Sequence, residues 1–430
     1  MPPRPNTLEE SGLSPDVVLE LVLKTLHLGG TLTGIDLADR LGVGVPVITP
    51  VIDQLKRHQH IEIVGTGGSG APSLKFRVTD TGRVRAALFL EHNHYVGRAP
   101  VPLEQYRSYI ERFRDHASRT ITPGQLRQAL SHLVLSDKLI DQIGPAVSVM
   151  HSLFLYGPSG NGKTVITEAI ATLLEGEMAI PYALEVEGCI IRVFDPVNHR
   201  PVLDAPFANG LSVDQGLPVD RRWVRCRRPI VTVGGELTLE SLDLSFSSAT
   251  GFYHAPVQVA ANGGVLVIGD FGRERCPPHA LLNRWLMPLE RRQDFLTLQT
   301  GQKFEVPFAV FVVFTTNLKP ADLVDEAFLR RVRYKVYAES PTRQEFVRIF
   351  ANYCRQVHVS FEPAVVDNLI DGRLLRRRIK LRGCQPRDLV DHALAAAEYA
   401  GQPRQLTLAL LEAACDSYFV DDRDTPRPPA

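Results

Sequence analysis

The chain is predicted to be an α/β protein: a parallel sheet wrapped by helices, preceded by a small helical module with a hairpin and followed by a wholly helical segment. Three observations predict this. The runs SLFLYG, IVTVGG, GVLVIGD and FAVFVVFTTN, from His151 onward, are almost continuously apolar, as strands buried on both faces of a parallel sheet are. Stretches of helical period alternate with them. After about Ser340 only the helical period remains.

In chain order, residues 1–14 are Pro-rich and polar and are expected to fray, as is the tail over 421–430. Residues 15–97 read as a compact module. Val18, Leu19, Val22, Leu23 and Leu26 make an apolar stripe that stops at Gly29-Gly30. A short helix ending at Gly42 follows, then a third reaching about His60, with Thr49 as its cap and Pro50 at its first position. IEIV and SLKFRVT, around the tip GTGGSGAP, read as a hairpin, and a further helix starts near Thr81. Three helices and a hairpin resemble a winged helix, whose third helix would be the recognition helix.

Residues 98–150 are expected to be a linker with lead-in helices, residues 151–338 the α/β domain, and residues 339–420 a helical lid. PYALEVEGCIIRVFDPVNHR reads as extra strands, a hairpin inserted after the first helix of the α/β domain.

Composition narrows the function classes. With 48 Lys and Arg against 48 Asp and Glu, net charge is zero, which gives the whole chain no bias toward nucleic acid or anionic membrane. The six cysteines contain no CxxC pair, so neither a disulfide framework nor a zinc site is expected, and a reducing cytoplasm fits. No stretch approaches the roughly 18 apolar residues of a membrane span. A cytoplasmic protein with no membrane span is the expectation.

The most specific motif is Gly157-Pro158-Ser159-Gly160-Asn161-Gly162-Lys163-Thr164. It follows the strand LFLY directly and opens the helix VITEAIATLLEGE, the strand–loop–helix context that GxxxxGK[ST] requires. Its backbone N–H groups would turn inward around phosphates at the positive end of the helix dipole. Lys163 would reach the β- and γ-phosphates of ATP, and Thr164 would hold Mg²⁺ through its hydroxyl.

About a hundred residues on, NGGVLVIGDFGRE ends a second apolar strand with an acid. Here the chain resembles the AAA+ ATPases, in particular the branch of MoxR-type ATPases and enhancer-binding transcription activators, where adjacent Asp and Glu stand at this strand end. Laid on that pattern, Gly269 takes the slot of the Mg²⁺-binding Asp and Asp270 that of the catalytic Glu. Two readings stay open: Asp270 acts alone as metal ligand or catalytic acid, or metal binding is weakened and hydrolysis is slow.

The resemblance implies further roles. Asn317, after FAVFVVFTT, would orient the attacking water or the γ-phosphate, with Thr315 and Thr316 as alternatives. Arg331, or else Arg330, would enter a neighbouring subunit's site in a ring, expected to be a homo-hexamer. Arg387, just after Pro386 in GCQPRDLVDHAL, would point from a lid helix toward the phosphates. The GAFTGA loop of the enhancer-binding activators is replaced here by LDLSFSSATGFYHAP, which argues against their role.

Arg221, Arg222, Arg225, Arg227 and Arg228, beside Trp223, could bind nucleic acid, contact a neighbouring subunit, or be a solvated strand face. Residues 1–90 contain nine Lys and Arg and nine Asp and Glu by count, and the recognition helix has its basic residues only toward its C-terminal end. Protein docking is therefore expected ahead of DNA binding for the winged helix. The leading expectation is an ATP-driven enzyme that remodels or assembles a protein client. The alternatives are a DNA-bound regulator and a nucleotide-binding scaffold with weak hydrolysis.

Overall fold

A computed structural model of the 430-residue chain describes residues 1–67, 70, 73–117, 121–174, 176–202, 219–323 and 326–419. The tail expected over 421–430 lies outside these residues. The chain packs as two compact units, neither continuous in sequence. The first comprises Met1–Arg119, Leu174–Ile268 and Arg273–Val312; the second comprises Thr120–Leu173, Gly269–Gly272 and Val313–Ala430. Segments far apart in sequence share cores: Ala183, Ile190 and Phe252 pack with the apolar residues of the N-terminal helices. No helix among the described residues is long and apolar enough to cross a membrane.

In the first unit, helix Pro15–Gly29 is capped by Ser14, which accepts from the Val17 N–H, and buries the apolar stripe read from the sequence. Helix Gly34–Leu41 starts with a capping box between Thr33 and Asp36 and ends where Gly42 takes φ 72°. The third helix departs from expectation. It spans Val45–Arg57, with Pro46 rather than Pro50 in its first turn. Thr49 does not cap it: its hydroxyl donates to the Val45 carbonyl inside the helix at 2.9 Å. Burial of Val47 and Ile48 alongside Val51, Ile52 and Leu55 draws the extra turn into the helix. Strands Ile61–Thr66 and Leu74–Val78 pair antiparallel, the latter also with Leu32–Thr33, and helix Asp80–His92 follows with Thr79 as its cap.

The same unit contains a five-stranded sheet in the order Ser245–Ser247, Phe252–His254, Cys189–Arg192, Ala183–Val186, Val101–Pro102. The inserted hairpin is part of it: Ala183–Val186 and Cys189–Arg192 pair antiparallel about Glu187 and Gly188, at φ 52° and 78°, as a two-residue hairpin turn of mirror-image type requires.

Residues 1–14 do not fray as their composition suggested. Pro3 bridges Val219, the Asp220 N–H donates to the Pro2 carbonyl, and helix Leu8–Ser11 is capped by Thr7. The reason is Arg222, which is 1% exposed and paired with Asp220 at 2.8 Å. Its guanidinium also donates to the Ser11 carbonyl at 2.9 Å and to Gln105 at 3.0 Å. A buried charge stays stable only with such a full set of partners, and the N-terminal segment supplies one.

In the second unit, strand Leu153–Tyr156 runs parallel to Phe311–Thr316 on one side and Tyr334–Tyr337 on the other. Leu153–Tyr156 comes first in the chain but lies between the other two strands of this unit, so its carboxyl end opens on a topological switch point, where open α/β sheets bind ligands. In the first unit, Ile230–Val233 and Val265–Ile268 likewise pair in parallel. After Thr342 the described chain is helical, from Arg343–Gln356 through Gln385–Tyr399 to Leu408–Tyr418, around a core that includes Phe346, Phe350, Leu389 and Leu411.

Candidate nucleotide-binding site

At that carboxyl end the chain turns through Gly157–Gly162 into helix Lys163–Leu173. Gly160 and Gly162 take φ 82° and 75°, the left-handed region that glycine enters without cost. At Gly160 space is short as well: a Cβ there would stand 2.5 Å from Cys384 Sγ. Asn161 donates to the Ala338 carbonyl at 3.2 Å, and its Oδ1 is buried with no partner among the described residues.

Lys163 is only 8% exposed. Its ammonium donates to the Gly157 and Pro158 carbonyls at 2.8 and 3.0 Å. Burial holds its pKa below the usual lysine range, and the negative charge of Asp270 pulls the other way. An ammonium resting on two loop carbonyls can exchange them for phosphate oxygens by a small rotation of its stem.

Asp270 follows the buried strand Val265–Ile268 and takes φ 50°. The sharp turn is fixed by the Phe271 N–H, which donates to the Thr315 carbonyl at 2.7 Å, and by the Thr316 hydroxyl, which donates to the Phe271 carbonyl at 2.7 Å. The carboxylate is thereby exposed and shares a cavity of about 500 Å³ with the loop.

Ser159, Gly160, Asn161, Gly162, Lys163, Thr164, Asp270 and Arg387 all line that cavity. Gly157 and Pro158 enter the loop just before its wall. Thr315 lines the cavity as well; Asn317 stands two residues further on, its Oδ1 buried without a partner among the described residues. Arg387 lies in the first turn of helix Gln385–Tyr399, where its Nε donates to Asp388 at 3.0 Å. Arg330 and Arg331 end helix Glu326–Arg331 and are not part of the cavity wall.

Sequence reasoning missed two features. The Cys384 N–H donates to the Gly160 carbonyl at 2.7 Å, tying the start of a lid helix to the phosphate loop. Leu133, Val134, Leu135 and Tyr353 add an apolar and aromatic wall suited to a flat base. The only signal for the former three was an apolar run within the lead-in segment. For Mg²⁺, the donor set fits: the Thr164 hydroxyl and Asp270 carboxylate line the same cavity, and this ion needs one or two protein oxygens besides phosphate and water.

The basic run is largely engaged inside its own unit. Arg221 pairs with Asp39 at 2.8 Å, Arg222 with Asp220, and Arg225 with Glu177 at 3.1 Å. Arg228 donates to the Gly263 carbonyl at 2.7 Å and lies over the Phe113 ring. Trp223 is buried against Tyr106 and Tyr109. Arg222 is buried in its pair, whereas Arg221 and Arg227 stay exposed, so part of the run keeps the solvated face that the sequence left open.

A glycine-rich loop between a parallel strand and a helix, with a lysine and a threonine at the helix start, defines a P-loop NTPase fold. Residues 342–417 match a family model described as a domain of unknown function, DUF8689. No curated protein matches the chain. Among solved structures it is similar to NtrX from Brucella abortus in complex with ADP, at 16% identity over 71% of this chain and 59% of that one, with a TM-score of 0.42. It is similar also to a mutant of RuvB from Thermotoga maritima, at 13% identity over 68% and 73%, with a TM-score of 0.37. A third is the complex between subunits BchI and BchD of magnesium chelatase, at 16% identity over 70% and 96%, with a TM-score of 0.34. The chain spans 55–59% of the length of the NtrX structures it matches.

Proposed function

We propose that the chain is an ATPase of the AAA+ class, on the branch of MoxR-type ATPases and enhancer-binding activators, that binds Mg²⁺·ATP and hydrolyses it to remodel or assemble a protein partner. The observation that carries this reading is the gathering of Lys163, Thr164, Asp270, Thr315 and Arg387 on one cavity. Lys163 and the loop N–H groups hold the phosphates, while Thr164 and Asp270 hold the metal. Bound Mg²⁺ would neutralise charge on the β- and γ-oxygens. Thr315 or Asn317 orients the attacking water, and Arg387 meets phosphate from the lid. Arg331, or else Arg330, acts on the site of the next subunit in a homo-oligomeric ring, expected to be hexameric. Their position away from their own cavity wall supports that reading.

The N-terminal module is a winged helix that docks on protein rather than DNA. The exposed residues in the N-terminal half of its third helix are Pro46, Thr49 and Pro50, and Asp53 follows, paired with Lys56 at 2.6 Å. That leaves no cation where such helices meet DNA. A second reading, weak hydrolysis, is favoured by Gly269: one carboxylate stands at the strand end where two acids would divide the work.

Phosphate release per subunit tests the proposal. It should rise with protein concentration, fall in Arg331→Ala while ATP still binds, and partly recover when Arg331→Ala is mixed with Lys163→Ala. A rate per subunit that is flat with concentration, together with an inactive mixture, would contradict the ring mechanism.

A further inference from the structure

A second cavity, of about 670 Å³, lies within the first unit and shares no lining residue with the phosphate-loop cavity. Its volume falls in the range of small-molecule sites. Three cations line it: Arg40 at the end of helix Gly34–Leu41, Arg98 beyond helix Asp80–His92, and Arg192 at the end of its strand. No carboxylate is among its described lining residues. Asp36, four residues before Arg40, is committed to the Thr33 backbone and hydroxyl. Arg98 spends one nitrogen on the Asp39 carbonyl. The Tyr95 phenol, held well above its ordinary pKa by burial, feels the positive charge of both Arg192 and Arg98, so the two cations act on one region.

The other wall is aromatic. Tyr182 and Phe194 line it with ring centroids 5.3 Å apart. At its buried end stands Thr25, 3% exposed, whose hydroxyl has no hydrogen-bond partner among the described residues. A buried hydroxyl left unpaired costs roughly 1–3 kcal/mol, and a ligand heteroatom would remove that cost. Thr25 is buried whereas Arg40 and Arg192 are exposed. A ligand therefore enters with a polar-edged ring first and leaves its anionic group at the mouth. A phenyl ring offers Thr25 nothing; a nucleobase offers nitrogen and oxygen.

We propose that this cavity binds a nucleoside monophosphate, its base edge on Thr25, its ring face on Tyr182 and Phe194, and its phosphate on Arg40, Arg98 and Arg192. Guanidinium groups suit phosphate geometrically, and aromatic walls suit bases. The site is independent of the phosphate loop and would let a nucleotide signal reach the N-terminal module.

Calorimetry on the full chain carrying Lys163→Ala, which disables the phosphate loop, tests this with AMP, GMP, CMP and UMP. At least one should bind saturably at a single site. Arg192→Ala should weaken that binding by at least about tenfold, Arg192→Lys by less. Thr25→Val should weaken it by about fivefold or more without lowering the melting temperature, since no hydrogen bond within the protein is lost. Inorganic phosphate should bind far more weakly than the best nucleotide. Absence of saturable binding by all four overturns the proposal, as does an affinity indifferent to Arg192→Ala. Equal affinity for inorganic phosphate would leave an anion site without base recognition and overturns it too. Tighter, Arg192-dependent binding of a fifteen-nucleotide oligothymidylate would replace it with a single-strand site.

Discussion

Asp270 is the residue on which the proposed chemistry turns, and its backbone allows charge and strain to be separated. At φ 50° a residue other than glycine bears roughly 1–2 kcal/mol of strain, with Asp and Asn tolerating it best. Asp270→Asn should therefore leave folding stability within about 0.5 kcal/mol. Asp270→Gly relieves the strain but adds about 0.5–1 kcal/mol of chain entropy to lose, so it should be neutral to stabilising by about 1 kcal/mol. Both variants remove the carboxylate that faces Thr164 and Lys163 across the cavity. Loss of one preorganised charge-stabilising group costs about 3–4 kcal/mol of transition-state stabilisation, or 10²–10³ in rate. ATP affinity should change little, because the same carboxylate repels the triphosphate. The assays are phosphate release at saturating Mg²⁺·ATP and denaturant midpoints for the three proteins. Turnover within about threefold of wild type in either variant would refute the role given to Asp270.

Gly269→Asp should raise phosphate release by restoring a second acid at the strand end, so that metal binding and catalysis no longer both fall to Asp270; an unchanged or lower rate would show that Asp270 alone suffices and would contradict weak hydrolysis. Gly160→Ala should destabilise by about 1–2 kcal/mol for its φ of 82°, plus a clash with Cys384 Sγ. Combining it with Cys384→Ala should recover the clash, a coupling of about 1 kcal/mol or more in a double-mutant cycle, whereas additivity would contradict the packing of lid on loop. Arg222→Ala should cost about 3–5 kcal/mol, measured by denaturant unfolding followed through Trp fluorescence, because it leaves Asp220 buried without its partner; a cost under about 1 kcal/mol would refute that network.

The parallel strands were legible because burial on both faces writes an unbroken apolar run, as in Phe311–Phe314. The phosphate loop was legible because its glycines, lysine and threonine have fixed spacing. Gly42 announced its helix end for a similar local reason. The start of the third helix was not legible: Thr49-Pro50 offers a local cap, but Val47 and Ile48 have tertiary partners that outweigh it. Ordering of residues 1–14 escaped for the same reason, since Arg222 lies 211 residues from Ser11. The partners of the basic run were not legible because its acids, Asp39, Asp220 and Glu177, come from three separate segments. At the candidate site the chemical residues could be read, Arg387 of the lid included, but the backbone tie between lid and loop could not. The bond from Cys384 to Gly160 joins a loop to a helix start more than two hundred residues away.

Calorimetric titration of ATP with Mg²⁺ into the wild type and into Lys163→Ala tests the central claim most directly. Wild type should bind one nucleotide per chain. Lys163→Ala should bind at least about a hundredfold more weakly while its melting temperature stays near that of the wild type without nucleotide. Equal affinities in the two proteins would contradict the assignment of this cavity as the ATP site.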